Sequence, residues 1–112
     1  MLKRLFLVAI CLVSINYIAN AQKKANGNQE VSIQTSAQCE MCKEKIENAL
    51  GEVDGVKSAL VDINTSIVKV IFNSNKVDVN AIRLAITQVG YDADEQKATK
   101  EAYDKLPKCC KK

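Results

Sequence analysis

The sequence predicts an α+β domain in the order β-α-β-β-α-β, with two helices on one face of a four-stranded antiparallel sheet and a C-terminal helix and tail behind it. Three observations carry this. Apolar residues alternate with polar ones before residue 39, apolar residues recur at helical spacing over 42–50 and 82–89, and two β-branched runs flank the polar pair Asn64-Thr65.

Val31, Ile33 and Thr35 alternate with polar neighbours and mark a half-buried first strand that ends at the loop Cys39-Glu40-Met41-Cys42. From Cys42, the side chains of Ile46, Ala49 and Leu50 fall on one helical face, Lys43, Glu44, Lys45 and Glu47 point elsewhere, and Gly51 offers a C-cap. The runs 56–63 and 66–72 form an antiparallel hairpin, with Asn64 suited to its turn. Val77-Asp78-Val79-Asn80 leads into a second amphipathic helix through Ile82, Ala85, Ile86 and Val89, stopped by Gly90. Residues 91–94 are polar for a strand, but they complete the split β-α-β unit of the ferredoxin-like sandwich. Residues 97–106 are good helix formers, and Pro107 ends that helix before Cys109 and Cys110.

The N-terminus reads as an address. Lys3 and Arg4 precede an apolar run over 5–13, and Ala19-Asn20-Ala21 is a small-residue cleavage site, so Gln22 starts the mature chain. The apolar run falls short of the roughly 20 residues a spanning helix needs, and Asn16 and Asn20 interrupt it, so no stable membrane anchor is expected. Cys11 leaves with this segment; a lipid-modified cysteine would want a small residue where Ile10 stands. The division is therefore 1–21 signal peptide, 22–29 flexible leader rich in Gln, Lys and Asn, 30–95 domain, and 96–112 C-terminal helix and Cys-Cys tail. This predicts export across the inner membrane to the periplasm.

Of the 16 basic and 13 acidic residues, Lys3 and Arg4 are lost on cleavage, leaving a net charge of +1 that gives no support to nucleic-acid binding. Histidine and tryptophan are absent. A Ser-His-Asp or Cys-His catalytic set cannot be built, nor a zinc site using imidazole, so any metal must be held by thiolate, thioether or carboxylate.

Two cysteines spaced C-x-x-C where a strand meets a helix can turn both sulfurs to one ion, and the unpaired amides of the helix N-terminus favour the thiolates. Soft thiolates select copper(I), mercury(II) or zinc over magnesium or calcium. Two of them suit a low-coordinate ion best, and zinc, which takes four ligands, is undersupplied. The candidate metal ligands are thus Cys39 and Cys42, with copper(I) or mercury(II) as cargo. The rival reading is a thiol-disulfide redox pair, which in a thioredoxin-like protein would want a facing proline loop; the only proline here is Pro107 in the tail.

Cys39-Glu40-Met41-Cys42 followed by Ile46-Glu47 and Leu50, then Gly55-Val56 and the hairpin, then Ala85-Ile86 through Val89-Gly90-Tyr91, resemble the heavy-metal-associated domain family in order and spacing. The likeness spans about residues 30 to 95. It implies the fold just described, an exposed metal loop, Cys39 and Cys42 as primary ligands, and no enzymatic activity. A signal peptide on a single domain is most similar to the family's periplasmic mercury-binding members, with secreted copper-chaperone-like domains as the other comparison; Tyr91, aromatic where chaperones tend to carry lysine, leans the same way. The expected partner is a membrane metal transporter or another C-x-x-C protein, met by a monomer through a face carrying Lys43, Lys45 and Lys97.

Two features depart from the family. Where its members usually carry Gly-Met-Thr before the first cysteine, this chain has Ser36-Ala37-Gln38, so the inward methionine that pins the loop is replaced by Ala37 and loop rigidity is put in question. Cys109 and Cys110 also have no counterpart in the pattern. Adjacent cysteines strain if bonded to each other. A strand of about five residues runs roughly 17 Å away from the loop and the last helix returns about 15 Å, so the tail can reach the site and these thiols can raise its coordination to three or four. The alternative is a solvated tail without a specific role.

Overall fold

The computed structural model describes residues 27–111; the expected signal peptide, most of the expected leader, Cys11 and Lys112 lie outside the described residues. Strands β1 (Asn28–Gln34), β2 (Val56–Asp62) and β3 (Ile67–Asn73) form an antiparallel sheet in the order β1-β3-β2. Helices α1 (Glu40–Gly51) and α2 (Val79–Thr87) are followed by a short α3 (Lys100–Asp104) and a 3-10 turn, Lys108–Cys110. β1 starts at Asn28, so the end of the expected leader belongs to the sheet.

Register explains the core. Val31 pairs with Val70 and Ile33 with Val68 across β1 and β3, while Ala59 pairs with Val70 and Val61 with Val68 across β2 and β3. Period-2 alternation turns all of these to one face. Against it lie Cys42, Ile46 and Leu50 of α1 and Ile82 and Ile86 of α2, all fully buried. This is the ferredoxin-like arrangement. Asp78 caps α2 by accepting the Ala81 N–H at 2.8 Å.

The four-stranded sheet is not formed. The fourth strand shrinks to an isolated antiparallel bridge, Thr35 to Ala93, because Ala93 turns at once to bridge Gln96 and Asp94 takes a left-handed φ of 53°. The Asp94 side chain compensates, Oδ1 accepting the Gln34 N–H at 2.9 Å in place of a longer ladder. Gly51 is not the C-cap of α1 either. The helix runs through it to Glu52, and the left-handed residue is Gly55, φ 101°, where the chain turns into β2. Glu47 does more than face solvent: its carboxylate accepts the Val61 N–H at 2.9 Å on the edge strand.

The last expected helix, 97–106, is helical only over Lys100–Asp104. It is nevertheless docked. Thr87 O accepts the Thr99 N–H at 3.1 Å, Asp92 Oδ1 accepts the Ala98 N–H at 2.9 Å, and Leu106 is buried in the core. Gly90, φ 105°, permits this approach, because a Cβ there would stand 2.9 Å from Ala102 O and 3.0 Å from Leu106. No helix among the described residues is long and apolar enough to cross a membrane.

Candidate metal centre

Cys39 is the N-cap of α1, in extended conformation, and Cys42 sits one turn later on the buried face. The chain leaves β1 through Thr35, Ser36 and Ala37, and this short connection is tied at every residue. Thr35 Oγ1 accepts the Ala37 N–H at 3.1 Å and donates to Ser66 O at 2.7 Å; Ser66 Oγ donates to Ala37 O at 2.6 Å. Ser36 Oγ accepts the Asp92 N–H at 2.9 Å. Ala37 is fully buried, so the loop is pinned by a hydroxyl network instead of an inward methionine. Ser66 reaches this position from a left-handed φ of 61° in the β2–β3 turn, a placement no local pattern in the sequence signals.

Four sulfurs converge at the loop. Cys39 Sγ lies 3.2 Å from Cys42 Sγ, 3.2 Å from Cys109 Sγ and 3.6 Å from Cys110 Sγ. Cys109 and Cys110 are 3.8 Å apart, and Met41 Sδ lies 3.9 Å from Cys109. The sulfurs of Cys39, Cys42 and Cys110 are all within 4.8 Å of one another. The four cysteines among the described residues are free thiols; Cys42 and Cys110 are buried, Cys39 half-buried and Cys109 exposed.

Their protonation is uneven. The Cys42 backbone amide, in the first turn of α1, does most to hold Cys39 down to about 6, helped by the thiols of Cys109 and Cys42. Cys109 is raised, first by its contact with Cys39. Burial pushes Cys110 up to about 12, with the neighbouring Cys42 acting in the same direction. Tyr91 is fully buried behind them, its hydroxyl without a partner that meets hydrogen-bond geometry. Burial, then the sulfurs of Cys110 and Cys42, raise its pKa.

The lysines named as a docking face are dispersed. Lys43 lies 4.0 Å from Glu47 and Lys97 3.8 Å from Asp92, while Lys45 is exposed on the far side of the loop helix, near Gln88 and Lys105. They do not form one continuous positive patch.

A two-sulfur helix-start loop on this fold has known counterparts. The heavy-metal-associated domain model matches residues 35–92, more than half of the chain, and the chain belongs to that family. It is 43% identical over 54 residues to the copper chaperone CopZ of Staphylococcus saprophyticus, covering 48% of this chain and 79% of the chaperone. It is 29% identical over 102 residues, 90% of this chain, to a probable copper-exporting P-type ATPase of Archaeoglobus fulgidus, and spans 13% of that relative's length. Among solved structures, oxidized MerP from Ralstonia metallidurans superposes with a TM-score of 0.58 at 25% identity, covering 60% of this chain and 94% of that one. The family match stops before the segment that carries Cys109 and Cys110.

Proposed function

We propose that this domain binds a soft metal ion through Cys39 and Cys42 and sequesters or delivers it outside the cytoplasm. The observation that carries the reading is the pair of sulfurs 3.2 Å apart at the start of α1, in a chain of the heavy-metal-associated family. Thiolates are available there at neutral pH, because Cys39 is held at about 6. Copper(I) is the leading cargo, since the relatives include copper chaperones and a copper-exporting pump; mercury(II) shares its softness and low coordination number. Exchange proceeds when a partner's thiolate adds to the ion and one of the original thiolates leaves. The partner class is a membrane metal transporter or another C-x-x-C domain.

Location outside the cytoplasm rests on the Lys3-Arg4, apolar and Ala19-Asn20-Ala21 segments. Recovery from the periplasmic fraction with Gln22 as first residue supports it, and a cytoplasmic chain still bearing Met1 contradicts it. Zinc is a second cargo, for which Cys39, Cys42 and Cys110, within 4.8 Å of one another, with Cys109 beside Cys39, offer more thiolates than the loop pair alone.

The test is anaerobic competition for copper(I) against a chelator of known affinity. Replacing Cys39 and Cys42 together by serine abolishes tight binding in a folded domain. Stoichiometric tight binding that survives in a chain also lacking Cys109 and Cys110 overturns the reading.

A further inference from the structure

The inference rests on the reading that Cys39 and Cys42 take the ion, and concerns what the C-terminal segment adds. That segment lies beyond the family match, yet it is built into the domain. Thr99 and Ala98 hydrogen-bond to Thr87 and Asp92, Leu106 seats against Gly90, and Pro107 opens the 3-10 turn in which the Cys110 N–H donates to Pro107 O at 2.9 Å. The Lys111 ammonium lies 6.0 Å over the Tyr103 ring and closes the segment back on α3. Burial of Cys110 alone would say little, since a thiol packs as a small hydrophobe. Convergence says more. Two cysteines from a separate segment meet the two of the loop, although nothing in packing requires Cys109, exposed at the surface, to stand 3.2 Å from Cys39.

Spacing favours a crowded ligand set over a linear pair. With metal–sulfur bonds of about 2.3 Å, four thiolates stand about 3.8 Å apart around one ion, whereas two on opposite sides stand about 4.6 Å apart. Here Cys39 Sγ lies 3.2 to 3.6 Å from the other three sulfurs, Cys39, Cys42 and Cys110 are all within 4.8 Å of one another, and Cys109 stands 3.8 Å from Cys110.

We propose that the segment after residue 96 is a latch that supplies Cys110 as a third thiolate and Cys109 as a fourth to the ion at Cys39 and Cys42. Binding releases the protons of these thiols to solvent and leaves no ready coordination position for an incoming thiolate. The docked domain is then a closed store. Transfer requires the segment to lift, which converts the site to the open two-thiolate form from which ligand exchange is fast.

The experiment compares the intact mature chain with Cys109→Ser/Cys110→Val, in which valine preserves an apolar side chain at the buried position. Both are loaded anaerobically with one equivalent of copper(I). X-ray absorption on dilute monomer reads the sulfur count, and chelator competition reads affinity and release rate. The latch predicts three or more sulfurs in the intact chain and two in the variant, with affinity lower by about 100-fold through loss of tethered ligands, and faster release. Equal sulfur counts and equal release rates overturn it. Cys109→Ala/Cys110→Ala repeats the comparison should valine overpack. Copper retained by the chain lacking Cys39 and Cys42, with loss only when Cys109 and Cys110 also go, would instead overturn the loop as primary site.

Discussion

Leu106→Ala undocks the C-terminal segment while leaving every sulfur in place. After Ala93, Leu106 and Cys110 are the fully packed side chains of the described residues, and α3 buries none of its own, so the truncation falls on docking. Replacing a buried leucine by alanine costs about 2–5 kcal/mol. Taking the lower end, about 2 kcal/mol shifts the docked-to-undocked ratio about 30-fold. In metal-free reduced protein, alkylation of Cys110, 1% exposed in the wild type, is followed by mass spectrometry beside amide exchange at Val70 in the central strand. The expected result is an approximately 30-fold faster reaction at Cys110 with little change at Val70. An unchanged Cys110 rate, or equal acceleration at both residues, would refute the idea that the segment docks as a separable unit.

Three further outcomes follow from the site. Cys39, lowered from about 9 to about 6, gains its thiolate in the folded state, so its contribution to stability is present above about 9 and is lost as pH falls through about 6. Alkylation of Cys39 in the metal-free chain should titrate near pH 6, and a midpoint near 9 would contradict the role given to the Cys42 amide. Ser66→Ala removes the donor to Ala37 O and should cost about 1–3 kcal/mol by urea denaturation without changing copper stoichiometry; no loss of stability would show that the hydroxyl network does not pin the loop. The reduced domain should not turn over insulin disulfides, and multiple turnovers abolished by Cys39→Ser would favour the redox reading.

Much of the fold could be read in the sequence because it rests on local periodicity. β1, the hairpin and the apolar faces of α1 and α2 show it plainly, as Ile33, Val68, Ile46 and Ile86 all reach the shared core. The fourth strand could not be settled that way. Residues 91–94 have weak strand composition, and whether they extend a ladder depended on Asp94 folding back to Gln34. Gly51 reads as a cap in one dimension, but the left-handed turn falls at Gly55, where a Cβ would meet Val77 and Lys76. At the site, the C-x-x-C spacing exposes Cys39 and Cys42 directly. The positions of Cys109 and Cys110 depend on nonlocal contacts through Gly90, Thr87 and Asp92, for which the sequence offers only Leu106 and Pro107 as hints of a docked end.

The central claim is that this chain carries a soft metal ion, and the most direct measurement is the metal recovered with it. The chain, purified without oxygen from cells supplied with copper, is analysed for metal content and free thiols. The account predicts one copper(I) per chain, lost when Cys39 and Cys42 are both replaced by serine. A metal-free chain that takes up no copper(I) after full reduction would contradict it.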